Sequence, residues 1–215
     1  MVRELAVTHH SYDPYPAIDG EHFAVKLEKA LFRYDWEIAQ VQLNLLDSHD
    51  TARLLSIAGE DKATVRLATI LLMTVPGAPS VYYGDEIGLA GKDDPDCRRT
   101  INWDKRDSWD METLAYTKQL INLRKAHPAL RRGAFKTLHA GALSYAFSRA
   151  KDNDKLIIVL NVGDRAQKLD IPVKGLVEDG VMLKAVYGKG SVMVEGGMAK
   201  VTVPARDGVI LAAAI

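Results

Sequence analysis

The amino-acid sequence predicts an α/β segment followed by an all-β module. Three observations predict it. Apolar residues recur at helical spacing in three stretches before residue 130. Two strand-like runs lie between those stretches, each opening into a polar loop, as in a parallel α/β architecture. Beyond Gly133, short apolar runs alternate with turn clusters, the pattern of antiparallel strands. The boundary is expected near residues 128–134, dividing the chain into segments 1–130 and 131–215.

After a lead containing proline and tyrosine, Phe23, Leu27, Ala30, Leu31 and Tyr34 share one helical face, and Asp19 is placed to cap that helix. A strand is expected from about Ile38 to Leu46, ending in DSHD. The next helix fits DKATVRLATILLMTV, where Asp61 caps the start and Pro76 stops the end. Its wide apolar surface predicts burial on more than one side. A short strand is expected over Ser80–Tyr83, turning at Gly84, and a loop rich in Asp, Gly, Pro and Arg runs from Gly91 to Asp107. The third helix is expected from about Ser108, with Trp109, Tyr116, Leu120 and Leu123 on one stripe. It closes at His127–Pro128, because the residue before a proline resists the α region. The runs ALSYAFSR, KLIIVLNV, VMLKAVY, AKVTVP and GVILAAAI, set between DNDK, NVGD, VEGG and ARDG, read as the strands and turns of the β module.

A length of 215 residues allows one domain or two, and 47% apolar residues can build a substantial core. Lys plus Arg (28) balances Asp plus Glu (28), so neither nucleic acid nor an anionic membrane is an expected partner. Cys97 stands alone, which excludes an intrachain disulfide and a multi-cysteine zinc site and fits a reducing, cytoplasmic setting. The most apolar stretch, ATILLMTV, is far too short to span a membrane. MVRELAVTHHSY lacks the apolar core of a signal peptide. The His9–His10 pair is too little for a metal site, and no cofactor or metal is expected.

In parallel α/β folds, ligands bind where strand C-termini open into loops. His49 and Asp50 stand at one such end, and DDPDCRR follows the next strand. From pattern alone the cluster is either a polar ligand site or a solvated loop with a capping Asp. YGDE reads as architecture: Gly84 permits a tight exit, while Asp85 and Glu86 bond loop backbone. Trp103 and Trp109 read as core aromatics ahead of sugar-stacking platforms, and Cys97 as an inert or ligand-adjacent thiol ahead of a nucleophile.

NLLDSHDTAR, PGAPSVYYGDEIGL and DDPDCRRTINWD, in that order, resemble the closing part of an α-amylase family glycoside hydrolase (family 13). The branch most resembled holds cyclomaltodextrinase, neopullulanase and maltogenic amylase. The resemblance implies that Leu43 to about Leu130 form the last two strands and helices of a (β/α)8 TIM barrel, and that the β module is the antiparallel β-sandwich that follows it. It implies an α-glucan or malto-oligosaccharide substrate. Asp50 then matches the family's third catalytic carboxylate, a transition-state stabiliser that holds sugar hydroxyls. His49 matches the histidine that bonds the same glucose. Asp94 and Arg98 match a substrate-binding pair that grips a terminal glucose, and their spacing suits a carboxylate–guanidinium pair with groups left for hydroxyls. Ser48 stands where the wider family frequently has Asn, and Asp47 where this branch often has Gly. The family's calcium-binding segments are not found in this sequence.

Retaining glycosidases need a nucleophile and a general acid, two carboxyls about 5–5.5 Å apart. In this family the nucleophile lies in a G-x-R-x-D-type motif at an earlier strand end, and the acid is a Glu at the strand after it. No G-x-R-x-D motif precedes His49, and Glu21 reads as a first-turn helix acid. The expectation is a C-terminal fragment of a retaining α-glucan enzyme, inactive alone, whose exposed barrel edges invite self-association. The alternatives are a non-catalytic glucan-binding module and an interaction module completed by a partner chain.

Overall fold

Asp19 opens the first helix, α1 (Gly20–Leu31), by accepting a hydrogen bond from the His22 amide at 2.8 Å. The structure, a computed structural model, describes residues 17–213; the N-terminal lead and the His9–His10 pair lie outside them. Glu21 occupies the first turn and Lys29 the last, each complementing the helix dipole. Phe23 meets Tyr145 edge to face at 5.3 Å, which seats α1 on the β module. A turn holding Arg33–Tyr34–Asp35 leads into the short α2 (Trp36–Ala39), so this R-x-D triplet lies between helices rather than at a strand end.

The strand expected over Ile38–Leu46 is mostly not one. Ile38 and Ala39 belong to α2, and only Leu43–Asn44 form β1. The expected Ser80–Tyr83 strand also moves, to Ala78–Pro79 (β2). The two pair in parallel, Leu43 opposite Ala78 and Asn44 opposite Pro79. Register is set at the start of β2, where the Asn44 amide donates to the Pro76 carbonyl at 2.7 Å. Gly77 permits that approach: a Cβ there would lie 2.5 Å from the Asn44 side-chain nitrogen. Both strands stay short because a ladder extends only where a neighbour supplies hydrogen bonds.

The crossover between them contains α3 (Leu54–Ile57) and α4 (Lys62–Thr74). Asp61 caps α4 as expected, accepting from the Ala63 amide. The helix is buried on two sides. Val65 and Ala68 pack on Leu54 and Ala58, whereas Ile70, Leu72 and Met73 join the main core. The third predicted helix, α5 (Met111–Ala126), starts after a 3-10 turn at Arg106–Ser108 and is capped by Asp110. His127 ends it. Pro128 then begins α6 (Pro128–Arg132), since its fixed φ suits a first helical position.

From Ala134 onward the chain is an antiparallel sheet: β3 (Ala134–Gly141), β4 (Ser144–Lys151), β5 (Asp154–Asn161), β6 (Gln167–Pro172), β7 (Met182–Tyr187), β8 (Ser191–Glu195), β9 (Met198–Val203) and β10 (Asp207–Ala213). Their order is β3-β4-β5-β10-β7-β8-β9-β6. The central strands are buried on both faces. Tyr145, Phe147, Leu156, Ile158 and Ile210 point to the helices, and Ala146, Ile157, Val159, Val209 and Leu211 point the other way. There they meet Ile171, Val194, Ala199, Val201 and Val203, so the sheet curls until its far strands cover its middle. Strand β9 alternates Ala199, Val201 and Val203 inward with Lys200 and Thr202 outward, the period of a one-faced strand.

Helices and sheet are fastened by polar groups as well as by the shared core. Arg149 on β4, fully buried, donates to the carbonyls of Thr74 (2.6 Å) and Gly133 (3.1 Å). Arg124 on α5 donates to the Met73 carbonyl at 2.8 Å. Burial pushes both guanidinium pKa values down, to about 9 for Arg149 and about 10 for Arg124. Asp154 accepts from His127 and from the Ala129 amide, each at 2.8 Å.

Candidate functional site

The polar loop after β1 and the long loop after β2 meet around one buried side chain, Arg53. It is fully buried. Its Nε donates to the Cys97 carbonyl at 2.7 Å and a terminal nitrogen donates to the Tyr83 carbonyl. Its guanidinium lies 4.2 Å from the Tyr82 ring centroid and 4.4 Å from that of Tyr83, two cation–π contacts. The Arg53 amide also donates to Gly91, at 2.9 Å. One residue thereby ties the His49–Asp50 turn to Tyr82–Tyr83 and to the Asp96–Arg98 3-10 turn. Gly91 is required where these segments cross, because a Cβ there would sit 2.6 Å from the Asp96 carbonyl oxygen.

The turn carrying His49 and Asp50 is fixed by its own short side chains. The Ser48 amide donates to the Thr51 hydroxyl at 2.9 Å, and the Asp50 amide donates to the Ser48 hydroxyl at 3.1 Å. From the other loop, the Cys97 thiol donates to the His49 carbonyl at 3.2 Å. Cys97 is fully buried, consistent with the inert thiol expected.

On this frame the four sequence-predicted site residues form one chain of contacts. Arg98 Nε lies 2.6 Å from Asp94 Oδ1, and a terminal nitrogen of Arg98 lies 3.5 Å from Asp50 Oδ1. His49 Nε2 lies 3.3 Å from the same Asp50 oxygen. Asp94 first, with Asp50 adding to it, holds the Arg98 pKa above its ordinary value. All four side chains are about half exposed, at 49–60%. Their free donors and acceptors face solvent, an arrangement that suits a polyhydroxylated ligand.

Three expectations need correction. Asp85 does not bond loop backbone. It lies largely buried beside Arg53 and Asp47, and Glu86 alone takes the expected role by accepting from the Gly84 amide at 2.7 Å. Trp103 is not core: it is 62% exposed and meets Trp109 edge to face at 5.5 Å. Trp109 itself precedes α5 rather than lying on its stripe. Sequence reasoning also passed over Arg53 and Asp47. The available signals were an arginine closing LLDSHDTAR and an acid where the resembled branch often has Gly. Among the described residues no group of three His, Cys, Asp or Glu side chains is placed to hold a metal ion. Nor is any described helix long and apolar enough to cross a membrane.

Residues 18–109 match the family model "Alpha amylase, catalytic domain". A cyclomaltodextrinase from a Bacillus species is 43% identical over 145 residues, covering 66% of this chain and 26% of that protein. Neopullulanase 2 of Thermoactinomyces vulgaris is 40% identical over 164 residues, covering 74% of this chain and 28% of that protein. Among solved structures, the debranching enzyme of Nostoc punctiforme superposes with a TM-score of 0.85 at 42% identity, covering 92% of this chain and 41% of that one. The chain thus spans about a quarter of the length of these curated relatives. The matched segment contains both polar loops, and the likeness in fold continues through the β module: the chain belongs to the α-amylase family of glycoside hydrolases.

Proposed function

We propose that this chain supplies the transition-state-stabilising corner of a retaining glycoside hydrolase acting on α-glucosidic bonds in malto-oligosaccharides, cyclodextrins or starch. One observation carries the reading: Arg98 links Asp94 to Asp50, and His49 touches the same Asp50 oxygen. In this reading Asp50 holds sugar hydroxyls, and its negative charge favours a ring that becomes cationic as the glycosidic bond breaks. His49 bonds the same sugar, while Asp94 and Arg98 grip a terminal glucose. Segment 1–130 is the closing part of a (β/α)8 barrel, with β1 and β2 its last two strands, and 131–215 is a β-sandwich domain. A single, buried cysteine, Cys97, is in keeping with a cytoplasmic setting. Neither the nucleophile nor the general acid is assigned to a residue of this chain, so on its own it is catalytically silent.

A second reading, a non-catalytic glucan-binding or interaction module completed by a partner chain, is favoured by the exposed apolar row Val41, Leu43 and Leu45 beside β1. The test is a titration of the purified chain with maltotriose followed by NMR, beside an assay for glucose or maltose release. The expected result is weak binding that shifts the His49 and Arg98 resonances, is lost in Arg98→Ala, and comes with no turnover. Turnover that disappears in Asp50→Asn would show that nucleophile and acid lie within these residues. Absence of any maltotriose-induced shift would sink the glucan reading.

A further inference from the structure

Beneath the exposed cluster lies a second group of ionisable side chains that the proposed reaction does not use. Asp47 is 4% exposed, Arg53 is fully buried, and the Asp85 side chain is 11% exposed. Asp47 Oδ2 accepts from the Leu54 amide at 2.7 Å, at the start of α3. Arg53 lies 3.7 Å from Asp85 Oδ1, an oxygen that receives no hydrogen bond. Asp47 and Asp85 are thus two largely buried acids gathered around one guanidinium, and the Asp47 carboxyl acts on Asp85 at short range, raising its pKa. Two ionised carboxylates at short range repel, which favours holding one hydrogen between them. Charge balance requires the same. One guanidinium neutralises one carboxylate, and a second buried negative charge would stand uncompensated.

We propose that Asp47 and Asp85 share one proton and form a buried latch, with Asp47 the positioning residue that holds the Ser48–Asp50 turn against the Tyr83–Ile87 turn. Asp47 directly precedes Ser48, and Asp85 follows Tyr83, whose carbonyl Arg53 also holds. The latch therefore joins the two loops on the buried side while Arg98 joins them at the surface. The groups facing the pair are Arg53 and, beside Asp85, Glu86. Burial, and then the Asp47 carboxyl, push the Asp85 pKa up to about 9; burial also raises that of Asp47. The proton is thus retained at neutral pH and lost in alkali, where the two carboxylates separate the loops. The positioning role rests on the function proposed above; the shared proton does not.

Isotope-edited infrared spectroscopy of the full chain, with carboxyl-labelled aspartate, reads the proton directly. The expected result is a protonated-carboxyl band at neutral pH that fades in alkali and is absent in Asp85→Asn. A neutral-pH spectrum without that band overturns the shared proton, and the wild-type chain alone suffices if the variant does not fold. Amide hydrogen exchange reads the latch. Asp47→Ala should lose tenfold or more protection at Leu54 and Thr51, and Asp47→Asn, which both accepts and donates, should restore it. Unchanged exchange in Asp47→Ala overturns the positioning role. Failure of glucan binding in the maltotriose titration, with the band present, would instead count against the function reading alone.

Discussion

The Cys97 thiol donates to the backbone carbonyl of His49 across 48 residues of sequence, at 3.2 Å. This contact makes a buried cysteine part of the frame beneath Asp50 and Arg98, the two residues that meet above it. Because the thiol is fully buried, a thiol reagent should modify native Cys97 only as fast as the chain opens. Cys97→Ala should cost about 1–3 kcal/mol in urea unfolding through the lost volume and contact. Rapid stoichiometric modification of the folded chain would contradict this.

Arg53→Met should cost about 3 kcal/mol or more, because it leaves the buried acid cluster without the cation beside it and frees the Cys97 and Tyr83 carbonyls. Arg53→Lys should recover only part of that loss: an ammonium keeps the charge but not the planar fork stacked on Tyr82 and Tyr83. Urea denaturation of the three proteins measures the difference. Equal stability of Lys and Arg at this position would reject the stacking argument.

Asp110 sets an acid limit. Burial opposes its ionisation, but the Lys62 ammonium at 2.7 Å and the Thr113 amide outweigh burial and hold its pKa at about 2. A pKa lowered on folding gives stability that is present above the ordinary carboxylate value and is lost as pH falls through the folded one. The melting temperature should therefore decline between about pH 4 and pH 2. Asp110→Asn keeps a cap acceptor and should flatten that decline. An unchanged slope in the variant would remove Asp110 from the account.

Asp85 works with the opposite sign. Its raised pKa means that its contribution is full below the ordinary carboxylate value and is lost as pH rises toward about 9. Asp85→Asn, which cannot ionise, should lose less stability than wild type between neutral pH and pH 9. Parallel melting curves for the two proteins across that range would contradict the assignment.

Val41, Leu43 and Leu45 are 57%, 65% and 48% exposed beside the outer edge of β1. Apolar side chains next to a strand edge with free hydrogen-bonding groups favour association. Sedimentation velocity of the chain should show concentration-dependent self-association, and Leu43→Lys should reduce it. A monomer across a wide concentration range would reject this surface as sticky.

The sequence by itself determined the elements whose causes are local. Asp19, Asp61 and Asp110 begin their helices because a capping carboxylate needs only the next few amides. The short apolar runs of β4 and β5, each bounded by turn clusters, mark strands before any partner is known. The motif order was also enough to indicate the α-amylase family, which the family model and the solved relatives then showed. Only the tertiary structure decided the lengths of β1 and β2, since a strand extends as far as its neighbour's hydrogen bonds and no further. It alone brought Arg98 to Asp50, and it alone sent Arg53 inside. Arg53 is buried because carbonyls, aromatic faces and a carboxylate from distant segments arrive together around it. Local sequence carries no record of that convergence.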